Sequence, residues 1–334
     1  MHLDRRQHGF PSATNSTRPA PLCNDGRMVD RKAVALAVGT AVTWGLAGTL
    51  IRLLAAFPAL FVTGLRLAIA AAVALPIAWI WRRHLRLADL RRASTYLLAL
   101  ILVAYYLTAV IAFQLAPVAE VALLIASSPL LVLTANLLRG IPINRGEKIG
   151  AAVAAVGVAL VLGPKLSPGN FQMRYLVGEL LAVLSAGCSA SFATLFARRR
   201  PEGTRAPDAV IVSLTTFVFG AALLTSSAFA VSSINLSLLA HPSTLAVAVF
   251  FGVVSTAFPS LAYATASQRL PPVLTTTIQL LIPVVSTIAA ALVLRELPSI
   301  WAFPGGALVL GGIAVLVRSA RSPEVSLEEE FTNL

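Results

Sequence analysis

The chain has 334 residues, of which 57% are hydrophobic and 12% are charged. Charged residues make up about 25% of a soluble domain, so this composition excludes a soluble protein and predicts an integral membrane protein. The formal net charge of +12 is not a sign of nucleic-acid binding, because the basic residues are gathered on one side of the predicted membrane segments.

Ten apolar runs follow one another along the chain, and each is long enough to cross about 30 Å of hydrocarbon as an α-helix. They lie near residues 33–56, 59–81, 95–115, 118–138, 147–163, 175–197, 208–231, 243–267, 271–294 and 300–317. The runs are continuous and lack the period-2 alternation of barrel strands. The sequence therefore predicts an all-α integral membrane fold with ten transmembrane helices.

The basic residues orient these helices. If the N-terminus is cytoplasmic, 21 of the 26 Lys and Arg residues lie on the cytoplasmic side, four lie on the outer side, and Arg66 lies inside the second helix. Cytoplasmic loops of membrane proteins carry such an excess of positive charge. The sequence therefore predicts a multi-pass protein of the inner or plasma membrane with both termini in the cytoplasm.

Two stretches of the chain carry the same pattern of prolines and glycines. Pro117, Pro129, Pro142, Gly150 and Gly157 correspond to Pro271, Pro283, Pro298, Gly305 and Gly312, at offsets of 154 to 156 residues. Each repeat contains five predicted helices, at residues 33–163 and 175–318. Because five is odd, the second copy enters the membrane from the opposite side, which predicts two inverted five-helix repeats. Internal duplication of this kind is typical of transporters.

The chain ends and the cysteines restrict the function further. Residues 1–32 are polar and lack the apolar core of a signal peptide, so we expect a disordered cytoplasmic tail in which Met28 is an alternative start of translation. Residues 319–334 form a second, acidic cytoplasmic tail. With two distant cysteines and no P-loop or hydrolase pattern, we expect no metal or other cofactor, no ATP-driven transport and no enzymatic activity.

Four motifs carry a resemblance to a known family. They are Trp44-Gly45, Arg66 within Gly-Leu-Arg-Leu, the stretch from Leu115-Ala116-Pro117 through Ser128-Pro129 to Gly157, and Gly178-Glu179-Leu180-Leu181. With this pattern over about residues 33–320, the chain resembles the drug/metabolite transporter superfamily and, within it, the ten-helix EamA-type family.

The resemblance implies a substrate cavity between the repeats, with helices 1, 3, 4, 6, 8 and 9 as its walls. It also implies small metabolites or amino acids as substrates, often for export. Helices 5 and 10 would lie either at the contact between the repeats or at the surface of a homodimer, and both alternatives stay open at this stage.

Pro129 and Pro283 occupy corresponding positions within the fourth and ninth helices. A proline removes one backbone hydrogen bond and clashes with the preceding turn. We therefore predict a kink at each position, which either shapes the binding site and lets the helix flex or serves packing alone.

Polar side chains form stripes at helical spacing on several predicted helices. The candidate substrate-binding residues are Trp44, Tyr105, Tyr106, Ser127, Ser128, Ser189, Tyr263, Thr275 and Gln279. Hydroxyls, amides and aromatic rings with little charge suit a neutral or zwitterionic molecule with an apolar part. The alternative is that the Ser and Thr residues only join helices through hydrogen bonds.

Charge within the predicted spans is sparse. Arg66 lies inside the second helix, and Glu120 and Glu179 begin the fourth and sixth helices near the outer side. Because a charge in hydrocarbon costs about 2.5–3.5 kcal/mol, we expect Arg66 to pair with Glu120 or Glu179 across the outer mouth of the cavity, as a gate or a carboxylate-binding point. The alternative is that Arg66 reaches the outer interface and anchors its helix.

The same charges separate the transport alternatives. No carboxylate lies at mid-membrane, which disfavours cation-extruding multidrug transport, and one arginine is too few for sugar-phosphate exchange. Proton coupling through Glu120 or Glu179 and uncoupled efflux both stay open. We expect a non-ATP exporter of amino acids or related metabolites that works by alternating access, with efflux of toxic or lipophilic compounds and a non-transporting scaffold as alternatives.

Overall fold

The computed structural model describes residues 31–80, 82, 85–162, 172–197, 206–267, 269–270 and 272–319. Helices and short connecting turns make up this part of the chain, and no β-strand occurs within it. Apart from Arg31, Lys32 and Ser319, the two expected polar tails lie outside the described residues, as do Met28 and Pro271.

The helices follow the order expected from the sequence. The first repeat contains α1 (Arg31–Leu53), α2 (Ala59–Ile80), α3 (Ala93–Leu115), α4 (Val118–Leu138) and α5 (Arg145–Leu162). The second contains α6 (Met173–Ala197), α7 (Ala209–Val231), α8 (residues 242–267), α9 (residues 272–294) and α10 (Ala302–Ser319). Short 3-10 turns, Leu87–Arg91 and Leu236–Leu238, precede α3 and α8.

Nine helices in the described ranges are long and apolar enough to cross a membrane. The remaining helix, α5, has 18 residues and carries Arg145, Glu147 and Lys148 at its start. These charges lower its mean hydropathy without shortening it below membrane length. The all-α membrane fold of about ten helices is thereby confirmed.

Two helices are interrupted close to the paired prolines. α4 consists of Val118–Ala126 and Ser128–Leu138, and α9 breaks at Leu280, between Pro272–Gln279 and Leu281–Ala289. Each break lies just before the proline of its repeat, because proline has no N–H to donate and its ring crowds the preceding turn. The role of the two breaks in transport stays a prediction.

The ends of α4 and α9 share a second feature. Gly140 follows α4 with a φ of 74°, and Arg295 follows α9 with a φ of 54°. Left-handed backbone is the usual conformation of glycine after a helix. Arg295 adopts it without being glycine, so the two repeats keep the same turn at corresponding positions despite different residues.

The last helices of the two repeats, α5 and α10, pack closely on each other. A Cβ atom on Gly150 would lie 2.6 Å from the carbonyl oxygen of Gly312, and one on Gly157 would lie 2.6 Å from that of Gly305. The earlier glycine of α5 meets the later glycine of α10, so the helices run antiparallel, as inverted repeats require. α5 and α10 were expected either at the contact between the repeats or at the surface of a homodimer. In the structure they form the contact between the repeats.

The other helix contacts follow the same symmetry. α2 packs on α7, so this contact also joins the same helix of both repeats. α1 packs on α8 and α9, and α6 packs correspondingly on α3 and α4. Such reciprocal contacts are those that a pseudo-twofold axis in the membrane plane produces.

The two ends of the bundle differ in packing beside α4. We name the end with Arg145 and Ser319 the terminal face, and the end with Arg52 and Val118 the distal face. The distal half of α4 is buried from Val118 to Leu124 and packs on the distal half of α9. The terminal half, Ser128–Leu138, has no buried residue. Beside α4, the described residues therefore pack more closely at the distal face than at the terminal face.

Candidate functional site

Arg66 lies buried between α2, α3 and α8. Its guanidinium carbon is 4.7 Å from the ring centroid of Tyr106 and 4.2 Å from that of Phe251. Its Nε donates a hydrogen bond to Thr256 Oγ1 at 3.0 Å. Only 4% of the surface of Arg66 is exposed, so the helix bundle encloses this side chain. Arg66 therefore does not reach the outer interface to anchor its helix there.

The expected pairing of Arg66 with a carboxylate is not what we find. Among the ion pairs of the described residues, none joins Arg66 to Glu120 or Glu179. Both glutamates are nevertheless buried, at 1% and 2% exposure. The sequence placed all three charges near one face but could not say that two aromatic rings and a threonine would surround the arginine.

Thr256 owes its position to a π-helical turn, Val253–Ala257, within α8. Its hydroxyl accepts from Arg66 and donates to the carbonyl of Phe251, five residues earlier, at 2.9 Å. A π-turn leaves backbone groups in an altered register and is frequent at functional sites. The hydroxyl therefore links the altered backbone of α8 directly to the buried charge of α2.

Two predicted site residues, Trp44 of α1 and Tyr263 of α8, form an aromatic pair. Their ring centroids are 5.5 Å apart at an interplanar angle of 49°. Gly45, the next residue of α1, lets this helix approach α9, since a Cβ there would lie 2.6 Å from Val285. The structure thus brings α1, α8 and α9 together around the pair.

Gln279 ends the first segment of α9, directly before the break at Leu280. Its Nε2 and Oε1 atoms are both buried and have no hydrogen-bond partner among the described residues. Buried amides are nearly always hydrogen-bonded. The amide of Gln279 is therefore one of the few exceptions among the described residues.

The remaining predicted residues lie on α3, α4, α6 and α9. Tyr105 and Tyr106 lie side by side on α3 with ring centroids 5.3 Å apart, and the carbonyl of Tyr105 accepts from Ser185 of α6. The Ser127 hydroxyl donates to Leu124 O at 2.6 Å, so it satisfies the backbone at the break in α4. Thr275 is buried, whereas Ser128 and Ser189 are half-buried.

A cluster at the distal face was missed by the sequence analysis. Glu296, just after α9, accepts a hydrogen bond from Val118 N at 2.7 Å and forms an ion pair with Arg52 at 3.3 Å. Arg52 and Arg174 also donate to the carbonyl of Gln114. We name Glu296, Arg52 and Val118 the distal clamp. The available signal was that Glu296 and Arg52 end helices on the same side.

A second charged group joins the repeats at the terminal face. Asp89 is buried and forms ion pairs with Arg92 at 3.1 Å and Arg86 at 3.7 Å. Its Oδ2 also accepts from the backbone N of Asp208, which caps α7. This group ties the loop before α3 to the start of α7.

Two cavities lie beside α4. The one of about 380 Å³ is in the terminal half, between α4 and α6, and is lined by Leu131, Ala135, Arg139, Gly187, Ser191 and Thr194, among others. The one of about 290 Å³ lies between α4, α9 and α10 and includes Pro283. In the described ranges, no three His, Cys, Asp or Glu side chains are grouped as metal ligands.

Comparisons with known proteins agree with this architecture. The sequence model of the EamA-like transporter family matches this chain twice, over residues 31–163 and over residues 176–318. A solved crystal structure is similar at a TM-score of 0.61 and 23% identity, over 87% of this chain and 98% of the other, which shows the fold. Curated proteins give no significant match.

The two family matches together cover most of the chain, one over each repeat. Each matched range spans five of the helices described above. The protein is therefore a multi-pass membrane transporter of small molecules, and the chain belongs to the EamA-like transporter family.

Proposed function

We propose that this transporter is a secondary exporter that moves neutral or zwitterionic metabolites, amino acids among them, by alternating access. The observation that carries the proposal is the amide of Gln279, which is buried without a hydrogen-bond partner among the described residues. Such a group costs about 1–3 kcal/mol when unsatisfied. An amide offers a donor and an acceptor to a bound molecule, so a polar substrate would remove this cost.

The surroundings of Gln279 support a substrate with an apolar or aromatic part. Trp44 on α1 and Tyr263 on α8 form an aromatic pair. α1 packs on both α8 and α9, so this pair lies on helices that adjoin Gln279. Pro283 in α9 has no N–H, so the carbonyl of Gln279, four residues earlier, loses its usual helical donor. Such a carbonyl is tolerated at membrane depth where it lines a cavity. Few polar groups among aromatic side chains are typical of small-molecule sites.

The packing of the two faces supports alternating access. The distal clamp joins α9 to α1 and α4, whereas the terminal half of α4 is unburied beside a cavity of about 380 Å³. By the positive-inside rule we assign the terminal face to the cytoplasm. An α4 that is packed on the outer side and less buried on the cytoplasmic side is the form in which an exporter would load its substrate.

The test is uptake into proteoliposomes of the purified protein. The panel contains labelled neutral and aromatic amino acids, uncharged metabolites and lipophilic compounds. We expect saturable uptake of the amino acids and a loss of about fivefold in Gln279→Ala, the effect of one neutral hydrogen bond. Gln172→Ala is the matched control, because Gln172 is exposed before α6, and we expect uptake at the wild-type rate.

Two results would contradict the proposal. Uptake of lipophilic compounds alone would favour toxic-compound efflux, and uptake of nothing on the panel would favour a different substrate class or a scaffold. Uptake at the wild-type rate in Gln279→Ala would show that the Gln279 amide does not bind the substrate. Running the assay with an imposed proton gradient, in Glu120→Gln and Glu179→Gln as well, tests coupling through the two buried glutamates.

A further inference from the structure

The buried charge at Arg66 is incompletely compensated by the chain. Its Nε donates to Thr256, but the described residues provide neither a hydrogen-bond partner for Nη1 and Nη2 nor an ion pair for the group. Two aromatic rings supply the remaining contacts. Cation–π contacts offset part of the cost of a buried cation, but they leave its terminal N–H donors unused.

The stacking determines which part of the guanidinium is available. The rings of Tyr106 and Phe251 lie within 4.7 Å of its carbon, so they occupy the region around its planar group, and Thr256 occupies the Nε donor. What remains is the edge formed by Nη1 and Nη2. Two N–H groups at such an edge match the two oxygens of a carboxylate, the partner that arginine binds best in a bidentate manner.

We propose that the Nη1–Nη2 edge of Arg66 binds the carboxylate of the transported molecule. This inference rests on the proposed function and makes it more specific: the substrates are small carboxylates, such as amino acids, rather than amines or uncharged metabolites. Tyr106 on α3 and Thr256 on α8 hold the group in orientation, and both helices are expected walls of the cavity.

The decisive comparison uses an amino acid, its carboxamide and its decarboxylated amine as competing substrates in proteoliposomes. Arg66→Lys keeps a positive charge but loses the planar edge and the stacking. We expect the KM for the amino acid to rise on the order of 10- to 100-fold, the effect of losing charge-assisted hydrogen bonds. The KM for the carboxamide and the amine should change little, so the preference for the carboxylate should disappear.

Two variants separate binding from structure. Arg82→Lys is the matched control, because Arg82 also stacks on an aromatic ring, Trp79, at 4.4 Å but is exposed; we expect wild-type preference. Thr256→Val removes the Nε acceptor and leaves the edge intact. If Arg66 acted only in packing, Thr256→Val and Arg66→Lys would weaken all three substrates alike, and the proposal would be wrong.

A direct binding measurement distinguishes this proposal from the more general one. Thermal unfolding of the purified protein in detergent is followed with each of the three compounds added. We expect stabilisation of the wild type by the amino acid, and loss of that stabilisation in Arg66→Lys. Uptake of uncharged metabolites without any carboxylate preference would overturn the role of Arg66 and leave the transporter proposal standing. Failure of carboxylates to stabilise the wild type would overturn it as well.

Discussion

At the distal face, one carboxylate of the second repeat holds two helices of the first. Glu296 satisfies the backbone N of Val118, one of the donors that the start of α4 leaves unpaired, and it neutralises Arg52 at the end of α1. A carboxylate at a helix N-terminus is also favoured by the helix dipole. Because the contacts cross between the repeats, they act on the arrangement of the halves rather than on one helix.

The distal clamp predicts an energetic coupling between Arg52 and Glu296. The side chains are 29% and 19% exposed, so solvent screens part of their attraction, and we expect a coupling of about 0.5–1 kcal/mol. The measurement is a double-mutant cycle of Arg52→Gln and Glu296→Gln, read from thermal unfolding in detergent. If the two single effects simply added, the ion pair would contribute nothing to the closed face.

Helical periodicity predicted some of the residues that the structure brings together, while their role in substrate binding stays a prediction. Trp44 and Tyr263 were both selected from polar stripes, and they form a pair. Arg66 was singled out correctly as a charge in the membrane, but its neighbours depend on which helices adjoin α2, which no local pattern states. Glu296 was missed because it lies outside the apolar runs, where a glutamate is usually an ordinary solvated residue.

The interrupted helices α4 and α9 are the elements in which the repeats resemble each other most closely. Each breaks just before its proline, and each ends in a left-handed turn. A break divides a membrane-spanning helix into two short segments that can tilt separately. We therefore expect these positions to affect motion more than folding.

Replacing either proline by alanine should raise the stability of the protein and lower its transport rate. Pro129→Ala or Pro283→Ala restores one backbone donor, and one net hydrogen bond contributes about 1 kcal/mol. Transport should fall, because a continuous helix flexes less at this point. The control is Pro76→Ala, in the exposed terminal part of α2 and away from the paired breaks. Unchanged transport in Pro283→Ala would show that the break serves packing alone.

The contact between α5 and α10 should respond to a single methyl group. In Gly157→Ala, the new Cβ would lie 2.6 Å from the carbonyl oxygen of Gly305, and the helices would have to separate, at about 1–3 kcal/mol. Gly311→Ala is the matched control, because no atom lies within 4 Å of a Cβ there. Thermal unfolding compares the two variants, and equal melting temperatures would contradict the close contact.

The elements themselves were largely predictable, since the length of an apolar run determines a membrane helix. The ten predicted helices are all present, with ends that differ by a few residues. The π-turn in α8 was not predictable, because Val253–Ala257 has the composition of any apolar helix. The packing of α5 on α10 was one of two alternatives, and glycine spacing alone could not choose between them.

The molecule as a whole is symmetric in its helix contacts and asymmetric in the packing of its faces. Inverted repeats can exchange the roles of the two faces, so a second state should exist in which the terminal face is closed. The clamp at the distal face and the cavity beside the terminal half of α4 belong to the present state.

Thiol labelling from either side of the membrane tests which state is preferred. In a chain with Cys23 and Cys188 replaced by alanine, Ala135→Cys lies in the terminal cavity and Ala122→Cys is buried in the distal half of α4. We expect an impermeant thiol reagent to modify Ala135→Cys from the cytoplasmic side and to leave Ala122→Cys unmodified from the outside. Rapid outside labelling of Ala122→Cys would mean that the distal face is open.

The residues that follow the two left-handed turns differ, and this difference affects the balance between the two states of the transporter. After the turn, the second repeat has Glu296, which forms the clamp, whereas the first repeat has Ile141, which cannot form one. Two otherwise equivalent states would be equally populated. An ion pair of about 1 kcal/mol in only one of them changes their ratio about fivefold. The resting population would thus be shifted by a single acidic residue that one copy of the duplicated module has and the other lacks.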